Sequence, residues 1–216
     1  MALTFPLSLA SFLDALPIAA CDFDLGEALQ VDETGGGEQL IAELGARLWS
    51  GRYLLAPMTF DETTAARALI DLIRAPGRAF LATDLRQRGP RSDPTGAILG
   101  AATPTLTATQ TAGREITLAG LPAGYVLARG DMVGFTYATS KRALHRVVAG
   151  GTANGSGTLA WAEVVPAVRA FTGTPAVTLL RPVVKAVILP GSVQPGEWSA
   201  RLVSGMSFGF IQTLVA

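Results

Sequence analysis

The sequence is short of the side chains that build most catalytic and metal centres: its 216 residues include one Cys and one His. A lone thiol excludes a fold stapled by internal disulfides. Zinc sites draw on several Cys and His, so Cys21 and His145 cannot furnish one between them. Charge is also scarce, at 16% of residues against about 25% in an average soluble domain. Long hydrophobic runs are missing too. Apolar stretches such as 182–190 are short and carry Lys185, far from the roughly 20 apolar residues of a membrane-spanning helix.

What the chain does have is apolar material. Hydrophobic residues make up 49% and mean hydropathy is +0.38. That much apolar area can offset the entropy of ordering a chain, so intrinsic disorder is excluded. The length suits one large domain or two small ones.

The 17 basic and 17 acidic residues cancel, but they are not mixed. Residues 1–46 hold eight acids (Asp14, Asp22, Asp24, Glu27, Asp32, Glu33, Glu38, Glu43) and no Lys or Arg, so the remaining 170 residues carry a net +8. One reading is a solvated acidic face. The sharper one is a subunit whose acidic edge meets a basic edge of a neighbour. Fifteen of the basic residues are Arg, the side chain suited to bidentate pairing at interfaces. The zero net charge and scattered basic residues argue against specific nucleic-acid binding.

Pro17-Ile18-Ala19-Ala20-Cys21 matches a lipoprotein cleavage box on its face. A secretory signal needs a basic start and an uncharged core. Here no Lys or Arg precedes Arg47, and Pro6 and Asp14 interrupt the apolar stretch. Synthesis in the cytoplasm is therefore expected, with Cys21 a small buried residue at a strand start. On the same expectation the Asn154-Gly155-Ser156 sequon is idle.

Gly and Pro punctuate short β-like runs, which predicts a mainly β fold. Residues 22–25 and 29–32 alternate as half-buried strands do, and 39–53 reads as strands rather than a helix. The one predicted helix is 61–75. Thr59-x-x-Glu62 fits a capping box, Pro76-Gly77 stops it, and Ala66, Leu69, Ile70 and Ile73 form its apolar stripe. The stretch 80–83 returns as a strand. Residues 86–94 are polar and basic, a linker or a solvated contact loop. Seven short strands follow (105–111, 116–119, 125–128, 132–137, 143–148, 158–164, 176–181), suggesting a small OB-like or sandwich-like barrel. The stretches 183–189 and 197–214 are again strand-like, with Phe208-Gly209-Phe210 on a core face.

Catalytic signatures fail on context. Gly205-Met206-Ser207-Phe208-Gly209 has the form of a nucleophile elbow, which needs an acid and a His after it; neither follows. His145 is expected as a partly exposed strand residue. Gly35-Gly36-Gly37 follows Asp32-Glu33-Thr34 and lacks a phosphate-binding pattern, so it reads as a turn. Arg129-Gly130-Asp131 reads as a tight turn rather than an adhesion motif. Trp49, Trp161 and Trp198 are expected as core or interface anchors, with sugar stacking the alternative. No catalytic residue, no cofactor and no metal ligand is assigned, and the chain is expected not to be an enzyme.

Three stretches, Leu127-Ala128-Arg129-Gly130-Asp131-Met132-Val133-Gly134-Phe135, Leu144–Val148 and the run from Gly157 through Trp161 and Pro166 to Arg169, occur in that order. Upstream lie Trp49-x-Gly51-x-Tyr53-x-Leu55-x-Pro57, the helix, Gly77-x-x-Phe80 and Pro90-Arg91. Over residues 45–190 this layout resembles the distal tail protein of long-tailed bacteriophages and gene transfer agents. The resemblance implies a β-sandwich hub (1–90 and 183–216) with one helix, and an inserted OB-like barrel (95–182). It further implies a structural virion protein at the tail tip. There a homo-oligomeric, hexameric ring would join the tail tube protein to the hub or fibre proteins, with the tape measure protein as a further contact. It implies no membrane and no cofactor. Other readings are a different tail-tip hub or tube-terminator component, and a β-rich carbohydrate-binding module.

Overall fold

The computed structural model of the chain describes residues 3–138 and 141–214. In chain order the early elements are β1 (Ile18–Leu25), β2 (Leu29–Glu33), β3 (Gln39–Glu43), β4 (Trp49–Leu55) and α1 (Phe60–Ile73). Next come β5 (Phe80–Ala82), β6 (Thr105–Gln110), β7 (Glu115–Ala119), β8 (Val126–Leu127), β9 (Met132–Ala138), β10 (Lys141–Ala149), β11 (Gly151–Thr152), β12 (Leu159–Val165) and β13 (Val177–Thr178). The last are β14 (Val184–Ile188), β15 (Glu197–Ser199), β16 (Leu202–Ser204) and β17 (Ser207–Gln212). The protein is mainly β, with α1 the only α-helix among the described residues.

Contacts divide the chain into two compact units. The first holds the described parts of Met1–Ala15, Ala79–Lys185 and Leu214–Ala216; the second is Leu16–Arg78 with Ala186–Thr213. The polar stretch 86–94 lies within the first unit, with Asp93 buried.

In the first unit six antiparallel strands pair in the order β13-β9-β10-β12-β7-β6. The two edge strands meet, because Thr105 bridges Ala176 and the Leu106 and Val177 amides bond the Pro175 and Pro104 carbonyls at 3.0 and 2.8 Å. The sheet therefore closes on itself, which removes exposed edges. Its interior is a continuous apolar cluster including Leu106, Ile116, Leu118, Tyr125, Val133 and Val164. Arg181 pairs with Asp14 (Nη1 to Oδ2, 3.1 Å), and this hydrogen bond holds the Asp14 carboxyl below its ordinary range.

In the second unit β1, β4, β17 and β14 are hydrogen-bonded in that order, all antiparallel. The aromatic side chains of three strands interlock: the Phe23 ring lies 5.5 Å from both Trp49 and Phe210, and Tyr53 stacks on Phe210 at 4.9 Å. Rings at such separations add to the energy of their burial. Gly51 permits the close approach of β1 to β4, since a Cβ there would meet the Asp22 carbonyl oxygen.

Helix α1 starts as the capping box requires: the Glu62 amide donates to Thr59 Oγ1, and the Thr59 amide donates to the Glu62 carboxylate at 2.9 Å. It starts one residue earlier and stops two earlier than the sequence pattern suggests. Its buried stripe is Thr63, Ala66, Ile70 and Ile73, with Leu69 only half-buried. Thr63 takes the inward position because its hydroxyl bonds the Thr59 carbonyl at 2.8 Å. Thr59→Ala is expected to cost about 1 kcal/mol, read as a fall in melting temperature of about 3 °C. An unchanged melt would mean that the cap contributes nothing.

Candidate assembly surface

The register of β1 with β4 continues past the sheet. Leu25 pairs with Trp49, the Gly26 amide bonds the Leu48 carbonyl at 2.9 Å, and Leu29 then faces Glu43. Arg47 fastens this junction, donating Nε to the Gly26 carbonyl at 3.1 Å. Beyond it β2 and β3 form a hairpin closed by the Thr34–Glu38 turn, in which Gly37 takes φ +83°. The expected glycine turn at 35–37 is thus the tip of an arm.

Every residue of β2 and β3 is exposed. Cross-strand partners share a face, so Leu29, Val31 and Ile41 lie together, with Glu33 and Glu43 at the ends. Leu40 and Leu44 are exposed as well, at 59% and 67%. An isolated two-stranded hairpin is marginal in water, and a contiguous apolar patch marks an interaction surface.

A second exposed apolar feature lies in the same unit. Phe60 and Trp198 pack edge to face at 5.9 Å while 63% and 57% exposed. With Thr63, Thr64, Arg67 and Val203 they line a shallow groove. Arg67 is held there by the Pro195 carbonyl at 3.0 Å. Aromatic side chains of this kind anchor interfaces.

The third feature is a basic groove of about 590 Å³ in the first unit. Arg86, Arg88, Arg91 and Arg146 line it, together with Asp84 and Gln87. Two buried carboxylates shape the loop that presents three of these arginines. Asp131 accepts from the Arg91 amide at 2.8 Å, the Ala128 amide at 2.7 Å and Gln87 Nε2 at 3.1 Å. Asp93 accepts from the Leu99 amide at 2.8 Å and the Ile98 amide at 3.2 Å. Burial opposes ionisation of Asp93, but these bonds prevail and hold its carboxyl below the ordinary value. Burial, with the Asp93 charge beside it, pushes the Tyr125 phenol up to about 12. The stretch 86–94 is therefore tied to the barrel rather than being a free linker.

Asp131 closes the tight turn with Gly130 at φ +96°. Being fully buried, it cannot display an adhesion tripeptide. The sequence singled out this Gly-Asp pair, but Asp93 carried no motif to mark it.

His145 departs from expectation. It is 3% exposed, stacked on Phe135 with ring centroids 5.3 Å apart. The Pro166 carbonyl can only accept, so Nδ1 carries the proton and donates to it at 2.6 Å. Nε2 is buried with no hydrogen-bond partner. Burial therefore pushes the imidazole down to about 4. The reason is that His145 stands opposite Val133 and shares its face of β10 with Ala143 and Val147, on the core side of the sheet, where Phe171 also packs edge-on to Phe135.

The other singled-out residues take plain structural places. Ser207 is buried at the start of β17, its hydroxyl accepting from Arg52 Nη2 at 2.6 Å. Ser207 and His145 belong to different units. Cys21 is half-buried in the middle of β1, opposite Tyr53, not a buried strand start. Asn154 Oδ1 accepts from the Ser156 and Thr158 amides at 3.0 and 2.9 Å, so the sequon builds a turn. Trp49 is in the core, whereas Trp161 is 45% exposed at an irregular stretch of β12 with φ +54°. Among the described residues no group of three His, Cys, Asp or Glu could hold a metal ion, and no helix is long and apolar enough to cross a membrane.

No model of a known protein family and no curated protein sequence matches the chain.

Proposed function

We propose that this protein is a structural subunit of a phage-like tail tip, a distal tail protein whose copies close into a ring. In this reading the hub carries the arm that reaches the next copy and an OB-like barrel is inserted in it, with residues 79–90, expected in the hub, grouped instead with the barrel. The ring, hexameric by resemblance, joins the tail tube to the tip proteins, and the protein acts in the virion without chemistry of its own.

The observation that supports it best is the β2–β3 arm, whose strand residues are all exposed and which gathers Leu29, Val31 and Ile41 on one face. Such an arm gains stability when another chain covers it. A head-to-tail contact of this kind generates a ring when its rotation closes. Light scattering at low salt is expected to give a closed oligomer for the full chain. Val31→Lys with Ile41→Lys is expected to raise the dissociation constant of assembly at least tenfold, because two charges would be set into an apolar contact. A wild-type chain that is strictly monomeric at every concentration would overturn the reading.

A further inference from the structure

We propose that the arginine groove of one copy receives the acidic β2–β3 arm of a second copy. This rests on the ring reading and gives its contact a register. The arm, residues 29–43, carries Asp32, Glu33, Glu38 and Glu43 and no Lys or Arg. All four acids are exposed. In the groove four guanidinium groups face one carboxylate, Asp84, which pairs with Arg86 at 2.8 Å. Arg88 and Arg91 are exposed at its rim and Arg146 is half-buried.

Three properties make the groove a receiving site rather than a scatter of surface charge. Its loop is fixed beforehand by Asp131 and Asp93, so little is lost in ordering it on binding. Guanidinium groups take carboxylates in bidentate fashion. Their aliphatic stems can also lie against the Leu29, Val31 and Ile41 face while their heads reach the acids at its ends. A nucleic acid would offer anionic groups too. The arm is favoured because the chain itself supplies it, in equal number with the groove, and leaves it uncovered.

The test is a charge exchange in the full chain at low salt, read by light scattering. One variant carries Arg88→Glu and Arg91→Glu, a second carries Glu33→Lys and Glu38→Lys, and a third carries all four. Circular dichroism and melting of each variant check that these exposed changes leave the fold intact. Each pair alone is expected to weaken assembly about tenfold or more through like-charge opposition. The four together are expected to regain most of that loss, as coupled charges do. Either pair leaving assembly unchanged, or no rescue in the third variant, would overturn the contact. Intact wild-type rings with indifferent variants would sink this contact alone, whereas a monomeric wild type would sink the ring reading as well. A fluorescent 20-nucleotide single strand, titrated in parallel, is expected not to bind. Binding that the groove variant abolishes, with assembly unaltered, would reassign the groove to nucleic acid.

Discussion

Replacing Asp131 with alanine is expected to lower stability by about 4 kcal/mol, measured by urea unfolding. The carboxylate is fully buried and accepts from two backbone amides and one side-chain amide. Alanine would strand the Arg91 and Ala128 amides, and stranded donors cost more than the bonds themselves contribute. The same change would release the loop that carries Arg86, Arg88 and Arg91, so if the proposed groove contact holds, assembly should weaken beyond what stability alone predicts. Asp131→Asn keeps one acceptor oxygen and should cost about half as much. A loss below about 1 kcal/mol for the alanine variant would show that other contacts hold the loop.

The second large effect is acid instability centred on His145. The unfolded imidazole titrates at its ordinary value of 6.5 and the folded one at about 4. Between these the unfolded chain binds a proton that the native chain refuses, so stability falls as pH falls. The contribution is zero well above pH 6.5 and reaches about 3 kcal/mol of destabilisation below pH 4. Protonation would place a charge at Nε2, where no acceptor stands. His145→Gln is expected to cost stability at pH 7, because it gives up the stack on Phe135. Its stability should nonetheless vary less than wild type between pH 6.5 and 4. Asp93 is separable: its carboxyl is held below an ordinary value of 3.8, so its contribution is lost only as pH falls below that value. Parallel pH curves for wild type and His145→Gln would refute the assignment.

Both effects sit at residues that the sequence marked and described incompletely. Gly130-Asp131 was legible as a turn, because Gly supplies the positive φ and Asp the local acceptor. That its carboxylate also holds a loop some 40 positions earlier in the chain was not, since no local pattern records so distant a hydrogen bond. His145 was expected to be partly exposed, yet it shares a strand face with Ala143 and Val147 and stands opposite Val133, so closing the barrel puts it inside. Tertiary packing covered both faces at that point, burying Leu144 and His145 alike. Helix α1 was readable nearly to the residue, because capping is local chemistry between Thr59 and Glu62. The two-residue strand β11 left no periodicity to read.

The charge division shows the same limit. The acids of residues 1–46 are a fact of sequence, and the structure distributes them over both units: Asp14 belongs to the first and pairs with Arg181, while Asp32, Glu33, Glu38 and Glu43 stand on the arm of the second.

By itself, then, the sequence determined a mainly β chain with one capped helix, scarce in metal-binding side chains and rich enough in apolar residues to fold. These follow from composition, periodicity and contacts a few residues long. Only the tertiary structure decided which apolar residues stay outside, which carboxylates are buried, and which arginines gather in one groove. Exposure depends on what the rest of the chain covers. Leu29, Val31 and Ile41 have the same kinds of side chain as the core, and differ from it in staying exposed on the arm.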